Sequence, residues 1–340
     1  MKRKISLKDI AAKVGVSTAL VSYVLNNKKS GRIRVEVAQK IKEAARELNY
    51  RPNQIAKSLK LNKTYTLGLI VADISNPFFS TLARIIEDEA DKHNYTVIFG
   101  SADENAAKSF KLINTLMDRQ VDGLIIAPAE NAESNIKYLQ DHEMPFVLID
   151  RNFPAISTNW VCLNNFKASF SALQHLLDRG SKKPGLLTYK TSLYNISERK
   201  RGYEIALLEN NVMFQPTWLK EVSFSEDMRT AVENALDEML GGNSPVDSIL
   251  FSSNILATYG LKYIHSRDIR IPDDLALITF DEMDASDLFY APLTYIKQPI
   301  QDMGEIATQI LLENIDAIKK TQQVKLEGDL IIRKSTEMVE

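Results

Sequence analysis

Acceptor oxygens, amides and aromatic rings recur in this sequence just past short apolar runs. Asp73, Asn76, Phe78 and Phe79 follow the run at 66–72, and Asp150 and Arg151 follow PFVLI. Phe224 comes after 218–222, Asn254 after SILF and Asp281 after ITF. Carboxylates, amides and a guanidinium around aromatic faces suit a polyhydroxylated small molecule. Its hydroxyls pair with the polar groups while its C–H face stacks on a ring. The residues needed for catalysis do not assemble. The sequence has no G-x-S-x-G elbow, no P-loop and no G-x-G-x-x-G after a strand. His93, His142, His175 and His265 lie on or beside predicted helices without H-x-x-E or H-x-x-x-H spacing. Asp281 and Glu282 are adjacent, so on a strand end they point apart. Cys162 is the single cysteine, which excludes an internal disulfide framework and a cysteine-rich zinc site. No catalytic residue, metal or cofactor is expected.

Such candidates need a scaffold that collects strand ends, and the patterning supplies one. Strands at 66–72, 95–100, 122–127 and 146–149 alternate with helices at 78–93, 106–119 and 134–142. After a connection near 160–165 the alternation restarts. Helices at 166–179, 197–209, 228–240 and 254–265 lie among strands at 185–188, 218–222, 248–251 and 275–280. A segment at 293–297, a helix at 302–319 and a strand at 329–333 follow. Buried apolar strands between amphipathic helices predict doubly wound parallel sheets. Open sheets of that kind bind ligands at the carboxyl ends of their strands, and two facing lobes make a cleft from those ends.

Residues 5–60 read differently. Ser6 stands three before Asp9, a capping-box start, and Ile10, Ala11 and Val14 give the first helix an apolar stripe. Gly15 supplies a turn, and Ser17 caps a second helix over 18–25 whose Leu20, Val21 and Val24 point inward. Thr18, Ala19, Ser22 and Tyr23 remain on its outer face. A third helix over 35–48 closes a small core. This is a helix-turn-helix, with its second helix sized for a DNA major groove. Charge agrees: residues 1–60 hold 15 of the 42 Lys and Arg but only 4 of the 44 Asp and Glu. The rest keeps 27 bases against 40 acids, so a basic head of net +11 sits on an acidic body of net −13.

The motifs DIAAKVGVS, VSYVLNN, AARELNYRPN and IAKSLK, in that order, resemble the headpiece of the LacI/GalR family of bacterial transcription regulators. LGLIVADISNPFF, VDGLIIAP, PFVLIDR, RKRGY, ITFDE and APLTYIKQP extend the resemblance over essentially the whole chain. It implies an α/β protein with a small all-α head and two doubly wound parallel-sheet lobes, like a periplasmic binding protein. The expected division is a DNA-binding domain at 1–51, a hinge helix at 52–61 and an effector-binding and dimerisation domain at 62–340. Within the latter, the N-lobe takes about 62–161 and 293–325, the C-lobe about 162–292 and 326–340.

The resemblance also assigns roles. DNA contacts fall on Ser6, Ser17, Thr18, Ala19, Ser22, Tyr23, Asn26 and Arg34. In the hinge they fall on Asn53, Gln54, Ala56, Leu59 and Lys60, with Leu59 as the minor-groove wedge. Arg199 and Asp281 match positions that clamp the effector, and Asn254, Phe224 and Asp150 match further pocket positions. Some residues depart from the pattern. Tyr23 replaces a frequent base-contacting arginine, and Arg34 stands where a Ser or Thr cap is common. Ile255 replaces an acidic residue, and Pro184 interrupts the approach to a strand. The expected function is a repressor controlled by a sugar-like effector, acting as a homodimer on a near-palindromic operator. MKRKISLKDI lacks the apolar core of a signal peptide and no run is long enough to span a membrane, so the expected location is the cytoplasm. A sugar receptor without DNA function is the competing reading, and the basic head counts against it.

Overall fold

The computed structural model describes residues 5–26, 33–50, 63–224, 227–242, 244–283, 286, 288–317 and 321–337. The chain divides into two compact units, Met1–Thr64 and Tyr65–Glu340.

The first unit holds helices α1 (Leu7–Val14), α2 (Thr18–Leu25) and α3 (Val35–Glu47). Ser6 donates its backbone N–H to the Asp9 carboxylate at 2.8 Å and its hydroxyl at 2.7 Å, fixing the start of α1. Gly15 ends α1 in the left-handed region at φ 74°, a conformation glycine reaches without a Cβ penalty. The Ser17 hydroxyl accepts from Leu20 N at 3.2 Å and starts α2. Ile10, Val21 and Ile41 are fully buried where the three helices meet. Each such side chain contributes roughly 1.5–3 kcal/mol by leaving water. Arg34 occupies the N-cap of α3 and makes no side-chain cap bond. The expected hinge residues Asn53, Gln54, Ala56, Leu59 and Lys60 lie outside the described residues.

The second unit contains two sheets. The first comprises β1 (Thr66–Val71), β2 (Thr96–Ser101), β3 (Gly123–Ile126), β4 (Phe146–Ile149), β5 (Trp160–Leu163) and β11 (Gln323–Leu326). Its order is β11-β5-β4-β3-β1-β2, all parallel. The second comprises β6 (Pro184–Tyr189), β7 (Leu219–Val222), β8 (Ser248–Phe251), β9 (Ala276–Phe280), β10 (Thr294–Lys297) and β12 (Asp329–Ile331). Its order is β12-β10-β9-β8-β6-β7, parallel except for β12 against β10. Helices α4 (Pro77–Lys92), α5 (Ala106–Asp118), α6 (Glu133–Asp141) and α11 (Ile300–Asp316) cover the first sheet. Helices α7 (Asn165–Asp178), α8 (Tyr194–Glu209), α9 (Met228–Leu240) and α10 (Asn254–Ser266) cover the second. Strands such as β3, buried on both faces, read as continuous apolar runs for that reason.

Two expectations need correction. The stretch near 160–165 is β5, not merely a connection, because Leu148 pairs with Trp160 and Trp160 with Gln323. Residues 162–163 therefore belong with the first sheet. The segment 293–297, assigned to the N-lobe, contains β10, which pairs with β9 in the second sheet. The chain recrosses only at Gln298 and Pro299, just before α11. Pro184, lacking an N–H, is tolerated because it is the first residue of β6.

Candidate effector cleft and DNA-facing helix

A cavity of about 520 Å³ opens between the carboxyl ends of the two sheets. All nine residues expected there line it: Asn76, Phe78, Phe79, Asp150, Arg151, Arg199, Phe224, Asn254 and Asp281. Asn76 caps α4, its Oδ1 accepting from Phe78 N at 3.0 Å, and Pro77 takes the first helical position, where its missing N–H costs nothing. That turn places Phe78 and Phe79 edge to face with centroids 5.0 Å apart. Asp150 follows β4 at φ 66° and Asp281 follows β9 at φ 70°. Those two strands occupy equivalent places in the two sheets, so one left-handed turn presents a carboxylate from each lobe.

The two arginines are held differently. Arg151 grips Glu104 with both terminal nitrogens, at 2.6 and 2.7 Å, and donates to Pro128 O at 3.2 Å. Its Nε lies 3.4 Å from an Asp150 oxygen. Burial works against the Arg151 charge, but Glu104 outweighs it and the pKa rises. Arg199 donates from Nε to Asn165 Oδ1 at 2.7 Å and from Nη1 to Ser252 O at 2.5 Å. Its guanidinium lies 3.7 Å from the centroid of Phe280. Among the described residues it forms no ion pair within 4.0 Å, and burial lowers its pKa despite Asp281 and Asp150.

The carboxylates are acceptors in a dry setting. Burial pushes Asp281 up to about 6, against the pull of Arg199 and of Gln298, whose Nε2 donates to Oδ1 at 2.6 Å. Burial also raises Asp150, against Arg151 and Arg199. Opposite charges would ordinarily shift Arg199 up and Asp281 down. Desolvation dominates both because the two groups do not touch. Tyr189, pushed by burial to about 12, accepts from the Ser253 hydroxyl at 3.0 Å and stacks on Phe224 with centroids 4.2 Å apart. The cleft thus combines buried acceptors, a clamped guanidinium and aromatic faces.

The strand-end rule applied to β2, β6 and β10 locates further lining residues that the sequence reading passed over. Glu104 lies just past β2, Tyr189 ends β6 and Gln298 follows β10. On the head, Ser17, Thr18, Ala19, Tyr23 and Asn26 are exposed and Ser22 is half-buried, so α2 presents a continuous outer face. Asn26 Nδ2 donates to Ser22 O at 2.8 Å, tying the end of that face to the helix. Ser6 and Arg34 are exposed as well.

Comparison with known proteins gives this arrangement a family. Residues 6–53 match the bacterial regulatory proteins of the lacI family, and residues 173–336 match a periplasmic binding protein-like domain. A probable HTH-type transcriptional regulator EndR from Paenibacillus polymyxa is 31% identical over 92% of this chain and 91% of its own. The HTH-type transcriptional repressor PurR of Aliivibrio fischeri is 30% identical over 97% of this chain and 98% of its own. The chain belongs to the lacI family of bacterial regulatory proteins. Its fold is that of the lac repressor dimer crystallised with operator and the anti-inducer ONPF, at a TM-score of 0.86 and 21% identity over 98% and 99% of the two chains.

As a lacI-family member the chain is a DNA-binding transcription regulator under the control of a small-molecule effector, not an enzyme. That sets aside the receptor without DNA function. Among the described residues no cluster of three His, Cys, Asp or Glu could hold a metal ion, and no helix is long and apolar enough to cross a membrane.

Proposed function

We propose that this regulator is a cytoplasmic repressor that binds a near-palindromic operator as a homodimer and is switched by a sugar or sugar derivative in the cleft. The observation that carries the effector class is the pairing of Asp150 and Asp281, buried acceptors from opposite lobes, with Arg199 and the rings of Phe78, Phe79 and Phe224. Hydroxyl groups satisfy such acceptors without adding a buried charge, and a pyranose or furanose C–H face stacks on aromatic rings. A ribose operon repressor from Halalkalibacterium halodurans, 30% identical over 97% of both chains, supports the same class.

In this reading α2 reads base edges in the major groove, with Thr18, Ala19, Ser22 and Tyr23 as its reading face. Ala19 offers only apolar contact, as to a thymine methyl. Ser6, Ser17, Asn26 and Arg34 flank that face. Asn53, Gln54, Ala56, Leu59 and Lys60 are proposed to contact the minor groove and its backbone, with Leu59 as the wedge. An effector that prefers one lobe arrangement then changes operator affinity by its differential binding to the two states.

The decisive experiment is selection of random duplex DNA by the full chain at near-physiological salt, repeated with a panel of sugars and nucleosides. An enriched near-palindrome whose recovery changes with a sugar, and no longer does so in Arg199→Ala, is the expected result. Enrichment that responds only to nucleosides would overturn the effector class while leaving the regulator standing.

A further inference from the structure

A second cavity, of about 200 Å³ and open to solvent at Tyr194, Gln323 and Lys325, draws its lining from both lobes. Its floor is the face of β5 and β11 that carries Trp160, Cys162, Gln323 and Lys325, in register Trp160 with Gln323 and Cys162 with Lys325. The opposite face of these strands, with Val161, Val324 and Leu326, packs into the first-lobe core. The far wall comes from the second lobe, where Tyr194 and Glu198 of α8 close the space.

The polar groups around this cavity include donors and acceptors, and most of the acceptors are already engaged. Glu198 is already held by Arg201 through two bonds of 2.8 Å, so its charge is answered. The Asn165 amide is committed at both ends, to Arg199 Nε and to Leu163 O. The Trp160 indole N–H and the Tyr194 hydroxyl make no hydrogen bond with any described residue, and the Lys325 ammonium, at an exposed position, acts on the Glu327 carboxylate only from beyond ion-pair distance. A cation and two aromatic side chains in one lining, with Pro154 and Leu163 completing the apolar part, fit a compact molecule with one acidic group. The volume is below the roughly 300–1,000 Å³ of drug-sized pockets, which limits the occupant to a small metabolite.

We propose that this cavity is a second ligand site, for a small monocarboxylate with a flat apolar body, its acid anchored by Lys325 and its body against Trp160 and Tyr194. Its position makes it regulatory. On α8, Tyr194 and Glu198 face this cavity while Asn195, Ile196 and Arg199 face the cleft. After β4, Asp150 and Arg151 line the cleft and Asn152 lines the cavity. Asn165 is the partition: it walls the cavity and holds Arg199 at 2.7 Å. An occupant bears on the same short segments that position the cleft, and any energetic coupling is reciprocal. The coupling rests on the cleft being the effector site; the binding does not.

The test reads binding to the full chain by fluorine NMR, with meta-fluorobenzoate as probe and its neutral amide as control. Broadening of the acid signal, at least about tenfold weaker affinity in Lys325→Gln, and little binding of the amide are expected from loss of a charge-assisted bond. Phe224→Ala, on the cleft side and outside the lining of this cavity, should leave the signal unchanged. No broadening overturns the proposal, as does broadening that survives Lys325→Gln. So does a signal lost in Phe224→Ala and kept in Lys325→Gln, which would place the acid in the cleft. None of these outcomes depends on whether a sugar switches the operator response.

Discussion

Asn254 of α10 donates its amide nitrogen to Asn76 Oδ1 at 2.9 Å, joining the first residue of a second-lobe helix to the cap of a first-lobe helix. The return bond, Asn76 Nδ2 to Asn254 Oδ1, is longer at 3.4 Å. A further bond between the lobes runs from Ser192 N to Glu130 Oε1 at 2.6 Å. The two lobes are thus bridged by polar contacts, which a ligand can replace or reinforce.

This pair makes a first prediction through a double-mutant cycle. Asn254→Ala removes only the bridge, whereas Asn76→Ala also removes the α4 cap to Phe78 N, worth about 1 kcal/mol by itself. The coupling between the two changes should be about 0.5–1.5 kcal/mol in thermal unfolding of the body. Strict additivity would show that the bridge contributes nothing in solution.

Asp281 gives a second prediction, with a definite sign. Its folded pKa of about 6 lies above the unfolded value of roughly 3.9, so the folded chain binds this proton more tightly. The resulting stabilisation is complete below about pH 4 and is lost as pH rises through about 6. Asp281→Asn keeps an acceptor for Gln298 but cannot ionise. Between pH 4 and 7.5, wild type should therefore lose on the order of 2 kcal/mol relative to this variant. Melting curves across that range check it, and parallel pH profiles would place the burial elsewhere. A ligand that requires the ionised carboxylate should bind more weakly below about pH 6.

How far the sequence led can be judged from particular elements. Runs such as LGLIV and LALITF announced buried parallel strands because they are apolar on both faces. WVCL was harder to read, being only four residues between Ser- and Asn-rich flanks, and QVKL harder still. In β11 the burial alternates between exposed and half-buried, so nothing but pairing with β5 makes it a strand. Chain order placed 293–297 beside the helix that follows it, yet hydrogen bonding put β10 with β9, information that local patterning does not contain. In the cleft, polar residues after strands were legible, whereas Tyr189 was not. It reads as one more apolar strand residue until Ser253 and Phe224 are seen around it.

Gly202 supports a third prediction. A Cβ there would collide with Phe166 O and lie 2.9 Å from Phe170 N, both backbone atoms of α7. Helices α7 and α8 approach this closely only because the position has no side chain. Gly202→Ala must push α7 away, at a cost of about 1–3 kcal/mol of the kind that overpacking brings. Arg199 lies one turn earlier on α8, and its partner Asn165 opens α7, so the same displacement strains the bond between them. Lower thermal stability together with a weakened effector response is expected. Normal stability and response would mean that the helices separate freely.

The head yields the last prediction. Tyr23 is exposed on α2 at a relative accessibility of 37%, beside Thr18, Ala19 and Ser22, while Arg34 stands exposed ahead of α3. A residue that reads base edges and one that neutralises a phosphate respond differently to removal. Tyr23→Ala should change which base pairs are enriched in operator selection while leaving the salt dependence of affinity nearly intact. Arg34→Ala should keep the selected sequence, weaken binding to all sequences alike, and flatten the logarithmic salt slope by about one counterion. The two substitutions leave Ile10, Val21 and Ile41 untouched, so the small core of the head still forms. If Tyr23→Ala instead flattened the salt slope without altering base preference, its hydroxyl would be a backbone contact. The reading of sequence would then fall to Thr18, Ala19 and Ser22 alone.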